Sequence, residues 1–382
     1  MAAAYIIGAS TTAFGPQPEK SIVSLGRDAA LAALSDAGVD SASVNMGFFA
    51  NVFGPLLFGD TTIGQDVFGA IGVQRAPIIN IENACTSGSS AFHLAVQAIE
   101  ADAADIVVVV GAEKMCVPTL GLVGSGQSDY ASRNGMAAPV GFAMRAARHM
   151  HEFGTTLQQF AAVTVKSRAF AAKNPLAQFR KPTNVEEVLA GPMIADPLTR
   201  AQCCPIADGA SAIVVASEKA ARANGARAVQ VNASVLTSGE SVSAPDIVRW
   251  GTDIRTCALA YEKAGVGPDD VDVAECHDAF SISEILHYEA LGFCAAGEGG
   301  RFVESGASAP GGRKPVNPSG GLLSRGHPVA ATGVAQISEI VLHLRGEAGA
   351  RQTPDAKVGV AQCMGGDKDG DTKSCTVVVL SR

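Results

Sequence analysis

The sequence predicts an α/β protein built from two similar halves. Short apolar runs alternate with segments whose apolar residues recur at helical spacing, a pattern typical of a sheet covered by helices. The residues around Ala37-Gly38-Val39, with a strand from Val44, recur 227 positions later as Ala264-Gly265-Val266 with a strand from Val271. The chain has 382 residues, 47% of them hydrophobic, which is enough apolar material for two halves. An internal duplication is the simplest explanation of the repeat.

The first half is predicted to begin with a strand at residues 5–8 and an amphipathic helix at 21–37, which Gly38 ends. A strand at 44–51, a short helix at 64–72 and a strand at 78–81 follow. A third helix, at 91–99, leads to residues 106–111. That last run is apolar throughout and is typical of a fully buried strand.

The pattern changes between Cys116 and Pro205. Glycine, serine and polar residues cluster in 121–135, helices are predicted at 142–153 and 156–173, and prolines interrupt the remainder. This excursion from the sheet is of the kind that builds a binding surface. We therefore expect an N-terminal half of residues 1–115 with 206–227, an inserted loop domain of 116–205, and a C-terminal half of 228–382. Strands at 211–216, 358–362 and 375–380 and a long helix at 328–345 complete the prediction.

Composition excludes several classes of partner and site. The net charge is −8 without a long basic run, so we expect no nucleic-acid partner. No apolar segment reaches the ~18 residues of a membrane span. Neither a signal-peptide pattern nor a C-terminal peroxisomal address is present, and nine irregularly spaced cysteines indicate free thiols, so we expect a cytoplasmic protein. We expect no metal site, because C-x-x-C is absent and His149 and His151 lack a third ligand at suitable spacing.

The turn around Cys85 lies where a predicted strand ends and a predicted helix begins. The small residues at 86–90 allow a tight turn and close packing of that helix. The positive end of a helix dipole lowers the pKa of a nearby thiol, which suits a nucleophile. The alternative is that Cys85 is an ordinary packing residue, as most cysteines are.

Three further motifs fall at strand–helix junctions of the second half. They are Glu275-Cys276-His277-Asp278-Ala279-Phe280, the glycine-rich segment from Asn317 to Pro328 that contains Gly326-His327-Pro328, and Gln362-Cys363-Met364-Gly365-Gly366. Each places a histidine or a cysteine at the end of an element beside small residues. This recurrence favours a catalytic interpretation of Cys85.

Together with Asn83-Ala84-Cys85-Thr86-Ser87-Gly88 and Gln202-Cys203-Cys204-Pro205, these motifs resemble the thiolase family. The resemblance covers essentially the whole chain and is to the sterol-carrier-protein type, also described as lipid-transfer-protein-like or acetyl-CoA acetyltransferase-like. It implies a five-layered αβαβα fold of two duplicated halves with an inserted loop domain. It also implies an acyltransferase that cleaves a 3-ketoacyl-CoA by thiolysis or runs the reverse Claisen condensation. Coenzyme A is then a co-substrate, and no cofactor is bound permanently.

The resemblance also implies roles for particular residues. Cys85 is the nucleophile that becomes acylated, and His327 takes its proton. Cys363 exchanges the proton at carbon, for which a thiol suits better than a carboxylate. His277 and His327 hold the oxygen of the enolate, while the backbone N–H groups of Cys85 and Gly365 hold the oxygen of the tetrahedral intermediate.

Two features depart from the family pattern or allow another interpretation. Ala279 stands where the family often has a second catalytic cysteine, so Cys363 has to carry the proton transfer at carbon. The acidic segment 367–371 is either an ordinary hairpin loop or the edge of an altered acyl pocket. Taken without the other motifs, His277 would be a core histidine and Asp278 an N-cap for the segment that follows it.

The resemblance further implies partners. We expect at least a homodimer that pairs through the sheet of the first half, with the run 106–110 near the interface. The helical segment 145–151 is expected to be exposed and to dock a small accessory subunit with a zinc ribbon and an OB fold. The competing functions are a thiolase-fold subunit active only with such a partner and an acyl-CoA retro-aldolase. Cys85 counts against the aldolase, whose relatives lack this nucleophile. The acyl group stays open between straight-chain, branched, steroidal and aryl substrates.

Overall fold

A mixed sheet of nine strands runs through this computed structural model, which describes residues 3–120, 130–240, 246–368 and 370–382. In chain order, the strands are β1 (Ala4–Thr11), β2 (Met46–Ala50), β3 (Ile78–Ile81), β4 (Ile106–Lys114), β5 (Met193–Ala195), β6 (Leu198–Thr199), β7 (Asp208–Ser217), β8 (Val229–Ser238), β9 (Val273–Glu275), β10 (Val358–Lys368) and β11 (Asp371–Ser381). Strands β5 and β6 pair with each other in a small separate ribbon. The predicted cluster at 121–135 lies mostly outside the described residues.

Helices surround and divide this sheet. They are α1 (Ile22–Ala37), α2 (Gly54–Phe58), α3 (Ile63–Ala70), α4 (Ser87–Glu100), α5 (Tyr130–Arg133), α6 (Ala138–Phe153), α7 (Leu157–Ala171), α8 (Val185–Leu189), α9 (Glu218–Ala221), α10 (Gly251–Ala264), α11 (Ser281–Ala290), α12 (Gly299–Glu304), α13 (Gly321–Arg325) and α14 (Val329–Arg345). Among the described residues, none of these helices is long and apolar enough to cross a membrane.

The two halves share one strand order, which confirms the predicted duplication. The first half runs β3-β2-β4-β7-β1, and the second runs β9-β10-β11-β8. Strand β9 is thus the equivalent of β2, and a single bridge from Ala274 of β9 to Val316 takes the place of the pairing between β2 and β3. Equivalent pairs have the same direction: β2·β4 and β9·β10 are parallel, and β4·β7 and β10·β11 are antiparallel. The equivalent helices α1 and α10 both end at a left-handed glycine, Gly38 at φ 64° and Gly265 at φ 68°.

Three hydrophobic cores separate five layers. Helices α1 and α3 cover the outer face of the first half-sheet, and α10 and α11 cover the outer face of the second. Helices α4 and α14 lie between the half-sheets and pack on the inner faces of both. Strand β4 shows the alternation: Val107 and Val109 belong to the central core, and Val108 and Val110 to the outer one. The five-layered αβαβα thiolase-type arrangement is thereby confirmed.

The two central helices cross at small residues. A Cβ added at Gly88 would lie 2.3 Å from the carbonyl oxygen of Ala330, and one added at Gly333 would lie 2.8 Å from the backbone nitrogen of Ser89. Since both distances are shorter than real Cβ contacts, only glycine permits this approach. The first turns of α4 and α14 therefore lie against each other.

The run expected near a dimer interface lies inside the sheet. Residues 106–110 belong to β4, which lies between β2 and β7 and is buried on both faces. The dimer itself stays a prediction. The edge of the first half-sheet is β3, where Ile79 is 44% exposed.

The segment 145–151 is also less exposed than predicted. Arg145, Ala146 and His149 face inward on α6 and are buried, while Met144 and Arg148 on the other side are exposed. Arg145 pairs with Asp367 at 3.0 Å. Strands β10 and β11 remain paired as far as Lys368 and Asp371. The acidic segment that begins at Asp367 therefore belongs to an ordinary hairpin, which is the first of its two predicted interpretations.

Candidate active site

Cys85 lies in a tight turn between β3 and α4, which begins at Ser87. The residue before it, Ala84, has φ 48°, an uncommon conformation for a residue with a side chain. Hydroxyl groups hold the turn: Thr86 Oγ1 donates to Asn83 O at 2.6 Å and Ser87 Oγ to Ala84 O at 2.6 Å. The small polar residues that follow the cysteine thus fix the direction of its side chain.

The expectation that the helix dipole lowers the pKa of Cys85 is wrong for the free protein. Burial of the thiol, with smaller contributions from the Glu113 and Glu82 carboxylates, raises its pKa to about 12. A hydrogen bond from the backbone of Gly366 opposes this change without reversing it. Desolvation outweighs the dipole because α4 begins two residues beyond the cysteine. The resting group is a neutral thiol, so a base has to remove its proton.

Thr332 fixes the orientation of the His327 ring. The hydroxyl of Thr332 donates its one proton to Pro328 O at 3.0 Å, so it accepts the proton of His327 Nδ1 across 2.7 Å. The other ring nitrogen, Nε2, is therefore unprotonated. Burial, with a smaller contribution from Arg325, lowers the pKa of His327 to about 3, which keeps the imidazole neutral. A neutral thiol and a neutral imidazole lie together, and the proton has to move as the sulfur attacks.

His277 and Cys363 complete the group. The imidazole rings of His277 and His327 meet edge to face with centroids 5.1 Å apart. Cys363 Sγ lies 3.2 Å from the carbonyl oxygen of Cys85 and 3.4 Å from His277 Nδ1. Burial raises the pKa of Cys363 well above its usual range and lowers that of His277 well below its own. Both groups are therefore neutral, and the Cys363 thiol lies close to Cys85.

Of the residues that the structure describes, Cys85, His277 and His327 form the group of three whose potential metal ligands lie close together. The sulfur and one nitrogen of each ring are within 4.8 Å of one another. A thiol, a neutral base and a second neutral ring at this separation suit proton transfer and stabilisation of an oxyanion as well as they suit a soft metal ion. That the site holds no metal remains a prediction.

Gly365 lies against the Cys85 turn. A Cβ at this position would be 2.9 Å from Asn83 O and 2.9 Å from the backbone nitrogen of Thr86. The absence of a side chain is therefore what lets β10 approach the Cys85 turn. The next residue, Gly366, is the one that contributes a backbone hydrogen bond to the sulfur of Cys85, which sequence reasoning missed.

Sequence reasoning also missed Glu113, a buried carboxylate at the end of β4. It accepts hydrogen bonds from the Asn51 side chain at 2.8 Å and from the backbone of Phe53 at 3.0 Å and Ala330 at 3.2 Å. Burial raises its pKa to about 7 in spite of these donors. Because it joins the first half to the start of α14, Glu113 helps to place the loop that carries His327. A lone glutamate after an apolar run offers no local signal of this contact.

A buried ionic network supports the motif that begins at Asn317. Glu284 contacts the ammonium group of Lys166 and accepts a hydrogen bond from Asn317 Nδ2 at 2.9 Å. Asn317 has φ 58° and accepts the N–H of Cys276 at 2.8 Å. Asparagine tolerates this left-handed conformation, and its side chain ties the segment before His327 to the segment before His277.

Asp278 does not cap the helix that follows it. Its carboxylate instead accepts the backbone N–H of Leu322 at 2.7 Å, at the start of α13. A Cβ on Gly321 would lie 2.1 Å from this carboxylate. The aspartate of the His277 motif thus holds the glycine-rich loop that precedes His327.

Comparison with known proteins covers both halves of the chain. Residues 4–219 match the family described as "Thiolase, N-terminal domain", and residues 233–382 match "Thiolase C-terminal domain-like".

Relatives over nearly the full chain agree with these matches. An acetyl-CoA acetyltransferase of Methanothermobacter thermautotrophicus is 38% identical, with 94% of this chain and 96% of that protein covered. The benzoylsuccinyl-CoA thiolase subunit BbsB of Thauera aromatica is 38% identical, covering 95% and 94%. Sterol carrier protein 2 of Homo sapiens is 35% identical, covering 94% of this chain and 69% of that protein.

A solved structure titled "Ltp2-ChsH2(DUF35) aldolase" superposes with a TM-score of 0.84 at 26% identity. The superposition covers 98% of this chain and 97% of the matched one.

Proposed function

The chain belongs to the thiolase family, and on that premise we propose that it cleaves a 3-ketoacyl-CoA by thiolysis, or forms one by the reverse Claisen condensation, through an acyl-enzyme at Cys85. The observation that carries this proposal is the approach of the Cys85 sulfur to one ring nitrogen each of His277 and His327 within 4.8 Å, with Cys363 Sγ 3.2 Å from the carbonyl oxygen of Cys85. Acyl-CoA and coenzyme A are the substrates, and we propose no permanently bound cofactor.

In the first step, the Cys85 sulfur attacks the ketone carbon of the substrate as its proton passes to His327 Nε2. The bond between that carbon and the α-carbon then breaks, and its electron pair remains on the departing acetyl-CoA as an enolate. The shortened acyl group stays on Cys85. The neutral pair suits this route, because neither member has to carry a buried charge before the substrate arrives.

In the second step, Cys363 protonates the enolate carbon, and acetyl-CoA leaves. Its sulfur lies 3.2 Å from the backbone carbonyl oxygen of Cys85, which supports a role close to the acylated residue. The thiol of coenzyme A next attacks the acyl group and releases the shortened acyl-CoA, while the protons return to Cys85 and Cys363. In condensation, Cys363 removes the proton that it donates in cleavage.

Two sets of donors stabilise the negative oxygens. We assign His277 and His327 to the enolate oxygen, since their rings meet with centroids 5.1 Å apart. We assign the backbone N–H groups of Cys85 and Gly365 to the tetrahedral intermediate. Loss of one such donor typically costs ~3–4 kcal/mol of transition-state stabilisation.

Mass spectrometry after incubation with acetyl-CoA tests the acyl-enzyme. We expect one acetyl group on Cys85 of the wild-type chain and none on Cys85→Ser. Cys363→Ala is expected to be acetylated but unable to make or break the carbon–carbon bond. The matched control is Cys294→Ala, which removes a partly buried thiol that lies beside Glu289 and Glu298. Wild-type protein that stays unmodified under turnover conditions would refute the proposal.

A second candidate is a subunit that requires a partner. It is favoured by the similarity to a protein named as a thiolase subunit and to an aldolase structure whose title names a DUF35 component. We propose that a small zinc-ribbon and OB-fold protein completes the substrate pocket. Turnover of a panel of 3-ketoacyl-CoA substrates, with and without neighbouring gene products, tests the requirement. Aldol cleavage without acylation of Cys85 would favour the aldolase instead.

We also propose a homodimer, through β3 rather than β4. An exposed edge strand offers unpaired backbone groups to a second copy, and β3 leads directly into the Cys85 turn. Light scattering coupled to size-exclusion chromatography is expected to give twice the chain mass, and Ile79→Lys is expected to reduce it. Arg27→Glu, on the exposed surface of α1, is the control. A wild-type monomer at micromolar concentration would contradict the prediction.

A further inference from the structure

The peptide groups of His277 are held from both sides by buried side chains. The N–H of His277 donates to Gln362 Oε1 at 3.0 Å, and the carbonyl oxygen of His277 lies 3.0 Å from His287 Nε2. Gln362 belongs to β10, and His287 to α11. Two separate elements therefore clamp the residue that carries one of the two rings proposed to bind the enolate.

Both of these side chains end on the same carboxylate. Gln362 Nε2 donates to Asp253 Oδ1 at 2.9 Å, and His287 Nδ1 lies 2.6 Å from Asp253 Oδ2. All three side chains are fully buried. Since Asp253 lies in the first turn of α10, the network ties a third element to the backbone of His277.

The hydrogen-bond directions follow from the groups present. A carbonyl oxygen can only accept, so His287 Nε2 carries a proton. Asp253 Oδ1 receives the Gln362 amide and the thiol of Cys375 at 3.4 Å, and the helix N-terminus around it favours negative charge. Asp253 is therefore a carboxylate that accepts from His287 Nδ1. Each polar group in the chain from Asp253 to His277 has a partner.

We propose that Asp253, His287 and Gln362 are positioning residues that orient the His277 ring toward the enolate oxygen. This inference rests on the proposed function. The ring of His277 follows directly from the clamped peptide groups, and its Nδ1 also contacts Cys363. A shift of this backbone would move one oxyanion donor and the contact to the proton donor together. A misplacement of ~1 Å at a reacting centre costs on the order of 10²-fold in rate.

Because the three residues act on His277 and not on Cys85, they affect one half-reaction. The test measures two rates on the full chain. Acetylation of Cys85 by acetyl-CoA is followed by intact mass, and enolate formation is followed by deuterium exchange at the α-carbon of acetyl-CoA in D₂O. Asp253→Leu and Gln362→Met remove the hydrogen bonds. Asp253→Asn keeps the hydrogen bonds without the negative charge, because its oxygen accepts from Gln362 and its amide donates to His287 Nδ1, which is unprotonated in the neutral imidazole of that variant.

Glu289→Gln is the matched control. Glu289 lies on α11 two residues after His287 and also pairs with a buried histidine, His149, at 3.2 Å, but it does not contact His277. We expect Asp253→Leu and Gln362→Met to slow exchange about 10²-fold and to leave acetylation within about twofold. Asp253→Asn and Glu289→Gln are expected to keep both rates within about threefold of wild type.

Each other outcome overturns the proposal. Equal loss of both rates would show a general structural role, and unchanged exchange would show that His277 needs no clamp. Loss of exchange in Asp253→Asn as large as in Asp253→Leu would assign the effect to charge rather than to position. If Asp253→Leu does not fold, Gln362→Met, which leaves no charge unpaired, decides the question. Failure of the wild-type chain to acetylate Cys85 would instead refute the proposed function.

Discussion

Replacement of Thr332 by valine tests the assignment of His327 as the base. Valine has nearly the shape of threonine but cannot accept the proton of His327 Nδ1, which Thr332 does across 2.7 Å. A buried donor without a partner costs ~1–3 kcal/mol, so the neutral imidazole shifts its proton toward Nε2. The population of the tautomer with an unprotonated Nε2, which can accept the Cys85 proton, then falls about 5- to 150-fold, because ~1–3 kcal/mol corresponds to that ratio of populations.

We expect the rate of Cys85 acylation to fall by the same factor. The KM for acyl-CoA is expected to change little, because Thr332 is fully buried behind the ring. Rapid quenching followed by intact mass measures the single-turnover rate. Thr332→Ser keeps the hydroxyl and is expected to retain most of it. Wild-type acylation by Thr332→Val would refute the tautomer argument and the role of His327 that depends on it.

Four other changes have calculable directions. Gly365→Ala places a Cβ 2.9 Å from backbone atoms of the Cys85 turn and is expected to lower acylation about 10²- to 10³-fold, the effect of one lost oxyanion donor, as measured by the same assay. Lys166→Met leaves Glu284 as an unpaired buried charge and should lower the unfolding free energy by ~3–5 kcal/mol in urea titrations. Arg148→Met, at an exposed pair, should change it by less than ~1 kcal/mol, and equal effects would contradict the argument. The pKa of Glu113 is raised to about 7 in the folded state from an ordinary 4.5, so between these pH values the folded state binds more protons than the unfolded state, and the unfolding free energy falls as pH rises. Glu113→Gln should remove ~3 kcal/mol of that pH-dependent loss. An unchanged slope of unfolding free energy against pH would refute the raised pKa.

The duplication and the approach of distant motifs could be predicted from sequence, because both depend on local patterns. Gly38 and Gly265 end equivalent helices, and a cysteine or histidine at the end of a strand falls at the same edge of its half-sheet. The position of Cys85 between a strand and a helix could be predicted for the same reason. The pKa of its thiol could not be predicted, because the residues that bury the thiol come from elements far away in the chain.

Residues that act through long-range contacts left no local signal. Asp253 reaches Gln362 across 109 positions, and Glu113 reaches Ala330 across 217. Thr332 is only five positions from His327, yet its role depends on a hydroxyl that accepts one proton while it donates another. The position of β4 between β2 and β7 likewise follows from pairing order, which an apolar run does not reveal.

The close crossing of α4 and α14 limits how a protein of this shape can diversify. Cys85 precedes one helix and His327 precedes the other, and a Cβ at Gly88 would lie only 2.3 Å from the carbonyl oxygen of Ala330, so the missing side chain sets the spacing between the two residues. Any larger residue at the crossing would push sulfur and imidazole apart and impair every substrate alike. Selection for a new acyl chain therefore has to leave this crossing untouched and act on residues farther from the reacting carbon, where a change in size discriminates between substrates.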